Sequence, residues 1–359
     1  MTGQSKDDVE RVRDDLNPIA GFNAIKTHHC VTGSMLNIYH FNEHPLSEEM
    51  LLGLGAGIGF FYWHMKGQTP MLLGRGNVHR PGVDGLEIDT GRRSGVAVER
   101  FVTKSRKKAM DALLRSMQDE QPMMIHVDMG FLPYFDLPEG YHFGQHVVVV
   151  AGLDLTTQRV LLADRDGVSH PVTLDDLATA RSSTFKPFPP MNTWYRFDFS
   201  RKRSPQAGDI WAAIAAVCES MLRGPISNLG VRGIRRAAKA VAEWPSLLDE
   251  GLLRETAFNG HIFIDAAGGT GGGMFRYMYS RFLLEAAQIC DCTELLKIGN
   301  ELDQIGDAWQ EIAVAFKKAS SEEAPGTVLE CLTEPLYALA EKEQIVWDML
   351  DELSAASLS

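Results

Sequence analysis

Residues 146–154, HVVVVAGLD, carry four consecutive valines. β-Branched side chains favour an extended backbone, and a run apolar on both faces has no side to offer to water. The run therefore predicts a central strand in a sheet covered on both faces. RVLLADRDG (159–167) follows the polar turn LTTQ and predicts its neighbour, and PMMIHVDMGFL (122–132) predicts a third strand. FKPFPPMNTWYRFDF, with its proline turns, predicts the strand that closes the sheet. Helical cover is expected over about 104–119 and from 172–181, the second capped by Thr173. Near the start, Val31, Met35, Ile38 and Phe41 recur at helical spacing and predict a helix over 30–42, with Thr27 as its cap. A short helix should begin at Ser47, with Glu48 and Glu49 in its first turn. The first half of the chain is therefore expected to be α+β, an N-terminal helix followed by an antiparallel sheet.

The polar residues 1–24 read as a lead-in, 25–200 as the α+β domain, and SRKRSPQAGD (200–209) as a linker. Beyond it, segments such as VRGIRRAAKAVAEW and MFRYMYSRFLLEAAQI have helical periodicity, so 205–359 is expected to be a mainly helical domain. Two glycine-rich stretches need separate reading. GLGAGIGFFYWHM departs from a dinucleotide fingerprint because Phe60 stands where glycine is required. It reads better as a strand with a bare face for close backbone packing. GGTGGG (268–273) is followed by Met274-Phe275, not the Lys-Ser/Thr of a P-loop. It predicts either a tight helix–helix contact or a substrate contact. In the second case Thr270, Gly271 and Arg276 are the candidates to meet substrate or a phosphate.

The formal net charge of −12 argues against a nucleic-acid partner and against docking on an anionic membrane. No apolar run approaches the ~20 residues of a membrane span, and the charged N-terminus does not read as a signal peptide. Short basic clusters at Arg92-Arg93, Lys104–Lys108, Arg201–Arg203 and Arg232/Arg235/Arg236 read as solvated faces or as docking points for an acidic partner. Five scattered cysteines form neither a disulfide framework nor a zinc finger, which implies a reducing, cytoplasmic setting with free thiols.

Cys30 stands out among them, because it sits where a helix should begin. Helix N-terminal N–H groups favour a thiolate and can hold an oxyanion. Its base must come from elsewhere in the chain. His146, fixed at the start of the valine strand, is the best placed of eleven histidines. Asp164, on the expected neighbouring strand, is the candidate to orient it, ahead of Asp154 and Asp166. His28 and His29 diverge from Cys30, so no metal site is expected there. His29 and Gln145 are candidate oxyanion or substrate contacts.

Cysteine at a helix start, then HVVVVAGLD, then VLLAD, resembles the papain-like superfamily, whose chain order is Cys, His, Asp or Asn. HHC, SEEMLLGLGAGIGFFY, LLGRGN and HVVVVAGLD more specifically resemble the N-terminal domain family of butirosin biosynthesis protein H. The helical remainder, with GGTGGGMFRYMYSRFLLEAA, resembles a domain of unknown function that often follows it. The resemblance implies a cysteine acyltransferase of secondary metabolism, with Cys30 as acyl acceptor, His146 as base and acid, and Asp164 as orienter. It implies an acyl carrier protein as donor and a small-molecule amine as acceptor. Phosphopantetheine would enter only as part of the carrier substrate, with no separate cofactor. An amidase, peptidase or chain-releasing cyclase would use the same triad, and a non-catalytic binding scaffold would not. A homodimer is compatible with all of these readings.

Overall fold

The computed structural model describes residues 16–65, 68–321 and 324–358. The expected lead-in before Leu16 lies outside the described residues. Contacts divide the chain into two compact units, one of 1–48 with 96–202 and the other of 49–95 with 203–359.

The first unit is α+β. Its sheet has six antiparallel strands: β3 (Ala97–Phe101), β4 (Met123–Val127), β5 (His146–Asp154), β6 (Arg159–Ala163), β7 (Ser169–Thr173) and β8 (Trp194–Asp198). Their spatial order is β3-β8-β4-β5-β6-β7, so the valine strand β5 lies inside, between β4 and β6. His146 pairs with Val127 and Val149 with Ala163. Val147 to Ala151 are fully buried, as a strand apolar on both faces requires. On one face Ile125, Val148, Val150 and Leu162 pack with Leu113 of α4 (Arg106–Gln118) and Leu177 of α5 (Leu174–Ser182). (Helices α1 to α3 are Cys30–Phe41, Glu48–Leu54 and Leu86–Ser94.) On the strand's other side chains α1 lies against β5, and Ser34 Oγ donates to Val147 O at 3.2 Å. Thr173 caps α5 as expected, accepting from Asp176 N at 3.0 Å.

Two local expectations need correction. Thr27 does not cap α1. The N-cap is His29, with no side-chain cap bond, and the capping carboxylate comes from Glu48 instead. Residues 16–24 are not merely a polar lead-in. Ile19 N–H donates to Ala151 O at 2.7 Å, and the apolar Leu16 and Phe22 are buried. Gly152 lets this segment close on β5, since a Cβ there would lie 2.7 Å from Asn17 O.

The second unit is mainly helical: α6 (Ala207–Arg223), α7 (Gly230–Leu247), α8 (Glu250–Ile264), α9 (Arg276–Cys290), α10 (Thr293–Ser321), α11 (Pro325–Glu330) and α12 (Thr333–Leu358). It also takes α2, α3 and the hairpin of β1 (Ile58–Trp63) and β2 (Met71–Arg75), which the sequence places in the first domain. The hairpin joins this unit because its partners are there. Tyr62 N–H donates to Asn228 O at 2.9 Å, and Phe60 stacks on Trp309 at 5.6 Å. Close backbone packing occurs at Gly59, where a Cβ would stand 3.0 Å from Gly76 Cα.

The GGTGGG segment is a packing joint. Gly273, at φ +53°, leaves no room for a Cβ, which would fall 2.7 Å from Gly306 Cα of α10. The residues expected to contact substrate or a pantetheine phosphate are engaged internally. Thr270 Oγ1 lies 2.8 Å from Ile264 O and 2.9 Å from Asp265 O, and Gly271 is held in the same turn at φ +69°. Arg276 is fully buried, its Nε on Glu343 Oε1 at 2.7 Å and its Nη1 on the carbonyls of Met274 and Gly59. The indoles of Trp309 and Trp347 also donate to Glu343, at 2.8 and 2.5 Å. The guanidinium is thus buried within the helical unit, with Nη2 the one nitrogen that has no hydrogen-bond partner.

Truncating Leu162 to Ala removes fully buried contacts of the sheet core and should lower stability by about 2–5 kcal/mol, read as a reduced denaturant midpoint. Glu343→Ala leaves Arg276 charged and unpaired inside the helical unit. It should cost about 3–5 kcal/mol in the same measurement, and an unchanged midpoint would refute the role given to the pair.

Candidate active site

The segment before Cys30 is held from two directions. Glu48 accepts the backbone N–H groups of His28 and His29 at 2.8 Å each, and the Thr32 hydroxyl at 2.8 Å. A carboxylate at a helix N-terminus satisfies orphan donors and matches the helix dipole. From the other side, Thr27 N–H donates to Arg165 O at 2.8 Å, and Lys26 bridges to Asp166. The chain just after β6 is therefore stitched to the approach to α1, which brings Asp164 into the neighbourhood of Cys30. Cys30 itself begins α1. Its N–H belongs to the first turn, where an α-helix supplies no intrahelical acceptor.

His146 opens β5 and is 3% exposed, so strand pairing holds its backbone while its side chain leaves the end of the sheet. Its Nε2 lies 2.7 Å from Asp164 Oδ2. The ring also hydrogen-bonds Cys30. With Nε2 committed to the carboxylate, Nδ1 is the nitrogen left for sulfur. Asp164 is 5% exposed and accepts two further bonds, from Arg165 N–H to Oδ1 at 2.7 Å and from Tyr134 OH to Oδ2 at 2.9 Å. Phe135 stands edge-on to the imidazole, with centroids 5.4 Å apart at 83°.

These contacts set the charge states. Burial raises the pKa of the Cys30 thiol, but the hydrogen bond and charge of His146, with a backbone bond from Val147, outweigh it and bring the thiol below its ordinary value. Burial lowers the pKa of His146, but the charge of and bond to Asp164, with the contact to Cys30, raise it to about 10. Asp164 is raised by burial and lowered more strongly by His146, to about 2. The shifts act in one direction, toward thiolate, imidazolium and carboxylate.

The structure thus brings together Cys30, His146 and Asp164. Asp154 instead accepts Thr156 N–H and Thr157 Oγ in the exposed β5–β6 turn, and Asp166 accepts Val168 N–H and pairs with His170 at 2.8 Å. His28 is exposed, while His29 is half-buried beside the thiol and contributes its N–H to Glu48. Gln145 is half-buried directly before His146. Among the described residues, no group of three or more His, Cys, Asp or Glu side chains is arranged to hold a metal ion. Glu48, Tyr134 and Phe135 were not singled out for the site from sequence. Glu48 lies 16 residues beyond Thr32 with no local pattern linking them. The aromatic pair sits in a loop whose only signal is two adjacent rings among prolines and glycines.

That loop, 128–143, encloses a cavity of about 250 Å³ lined by Met129, Leu132, Phe135, Leu137, Pro138 and Tyr141, among others. Phe135 is thus shared between the cavity and His146. A larger groove of about 600 Å³ lies in the helical unit among α10, α11 and α12. It contains Cys331, but no histidine lines it.

Residues 29–165 match the family model described as Butirosin biosynthesis protein H, N-terminal. The N-terminal part of the chain is thus similar to this family. Residues 175–350 match a Domain of unknown function (DUF4872), the order that the butirosin H resemblance implies. The match to butirosin biosynthesis protein H begins one residue before Cys30 and ends one after Asp164, so it encloses the whole constellation. It points to a biosynthetic enzyme of the butirosin type. No curated protein matches the chain at a significant level. Among the described residues, no helix is long and apolar enough to cross a membrane.

Only the thiolate alkylates, so iodoacetamide labelling of the Cys30 peptide should rise with pH about a midpoint below the ~8.5 of a free thiol. His146→Ala removes the opposing cation and leaves burial and the Asp164 charge opposed only by the Val147 backbone bond. The midpoint should then move up to or beyond the ordinary value; equal midpoints in the two proteins would refute the ion pair.

Proposed function

We propose that this protein is a cysteine acyltransferase that takes an acyl group from a thioester, carried by an acyl carrier protein, and passes it to an amine. The observation that carries the reading is the line from half-buried Cys30 to the buried His146 and Asp164, with sulfur at a helix N-terminus. The family similarity supports the biosynthetic setting.

In the first half-reaction the Cys30 thiolate attacks the thioester carbonyl. The oxyanion develops beside the Cys30 N–H, and His29 and Gln145, each next in sequence to a member of the triad, are the further candidate donors. The carbon–sulfur bond to the donor breaks as the His146 imidazolium gives its proton to the departing thiolate. Acyl-Cys30 and a neutral imidazole remain. In the second half-reaction the amine attacks this new thioester, His146 takes the amine proton, and Cys30 leaves as thiolate. The amide is released and the ion pair is restored. Asp164 stays ionised throughout, holding the imidazole orientation and offsetting its positive charge.

Water as acceptor would make the same machinery a hydrolase, and an amine or hydroxyl on the acyl chain itself would make it a cyclase. The acceptor is what separates the three. Incubation with small acyl-thioester probes should add one acyl mass per chain, and Cys30→Ala should abolish the adduct. Supplying amines should then discharge the adduct as amide faster than water does. Absence of an acyl adduct across short and long probes would refute thioester chemistry at this cysteine.

A further inference from the structure

We propose that Tyr134 is a positioning residue for the nucleophile, acting through Asp164; this rests on reading Cys30 as the nucleophile. Asp164 Oδ2 receives both His146 Nε2 at 2.7 Å and the Tyr134 hydroxyl at 2.9 Å, while Oδ1 receives Arg165 N–H. The terminal torsion of a carboxylate is broad and roughly two-fold, so without Tyr134 each oxygen of Asp164 would rest on a single donor. A second donor on Oδ2 resists rotation about that torsion and keeps the oxygen facing the imidazole. The imidazole in turn keeps its other nitrogen on sulfur.

Tyr134 is itself constrained. Its ring stacks on His170 with centroids 4.0 Å apart at 10°, and meets Phe135 in a tilted contact at 4.7 Å and 37°. His170 is fixed by its bond to Asp166 at 2.8 Å, at the turn that also bridges to Lys26. The ends of the loop are tied by Asp128, which accepts Gly130 N–H and Phe143 N–H at 3.1 Å each, Ser183 Oγ at 2.5 Å, and pairs with His142. Burial first, then the charge of and bond to Asp164, push the phenol well above its ordinary range, so it remains a donor wherever the ion pair exists. The charged groups around the phenol are Asp164, Asp166 and His170, and beyond Asp164 lie His146 and Cys30.

A purely structural tyrosine would fill space, and Tyr134→Phe keeps the ring and its stacking. A positioning tyrosine loses its function in that variant. The experiment follows Cys30 alkylation by iodoacetamide against pH, peptide by peptide, in Tyr134→Phe, Asp164→Asn and the double variant, with circular dichroism to verify folding. In Tyr134→Phe the Cys30 midpoint should move up, and the rate at neutral pH should fall roughly three- to tenfold. In the Asp164→Asn background the same substitution should add nothing, because its target has gone. A midpoint in Tyr134→Phe that stays put or falls, or an equal effect in the Asp164→Asn background, overturns the proposal. The readout needs no acyl donor. Failure of the thioester probes would leave this result standing, and failure here would leave acyl transfer standing.

Discussion

The candidate site in the first unit depends on one buried carboxylate. Asp164 takes a histidine from β5, a phenol from the β4–β5 loop and a backbone amide from its own turn. Each donor lowers the cost of burying the charge, and together they give it one orientation. That charge raises the proton affinity of His146, and the protonated imidazole then stabilises the Cys30 thiolate against its own burial. Removing the carboxylate would therefore alter the state of a sulfur two residues along the chain of contacts.

A second carboxylate does a different job at the same helix end. Glu48 binds the amides of His28 and His29 and the Thr32 hydroxyl, so it fixes the backbone that presents Cys30. Burial raises its pKa, and these bonds oppose that rise without cancelling it. Satisfying the amides ahead of the cysteine from one side leaves the first-turn N–H of Cys30 without a part in that capping. The division of labour is physical: one carboxylate sets geometry through the main chain, the other sets charge through a ring.

The helical unit solves its own electrostatic problem in a similar way. The Arg276–Glu343 pair is sealed among tryptophans, and each carboxylate oxygen finds an indole donor. The glycines before α9 serve that packing, since Gly273 lets the turn meet Gly306 of α10. Helix-capping glycines followed by an arginine look like an anion site in one dimension. Burial is what decides otherwise, and burial is a property of the whole unit.

Sequence alone determined the elements whose signals are local. The four valines of β5 could only be an inner strand, the 3.6-residue stripe after Cys30 could only be a helix with sulfur at its mouth, and Thr173 capped the helix it precedes. The order Cys30, His146, Asp164 was legible because a histidine opening a buried strand and an aspartate ending its neighbour must lie near one another once the strands pair. Tertiary structure alone decided the rest. It moved the hairpin of β1 and β2 to the helical unit, where Trp309 covers Phe60; it put Glu48 rather than Thr27 at the start of α1; and it enclosed Arg276. It also set Tyr134 on Asp164, across 30 residues of chain. Periodicity and propensity report how a segment relates to its immediate neighbours. A hydrogen bond between distant segments leaves no trace in either, and only the folded packing brings its two ends together.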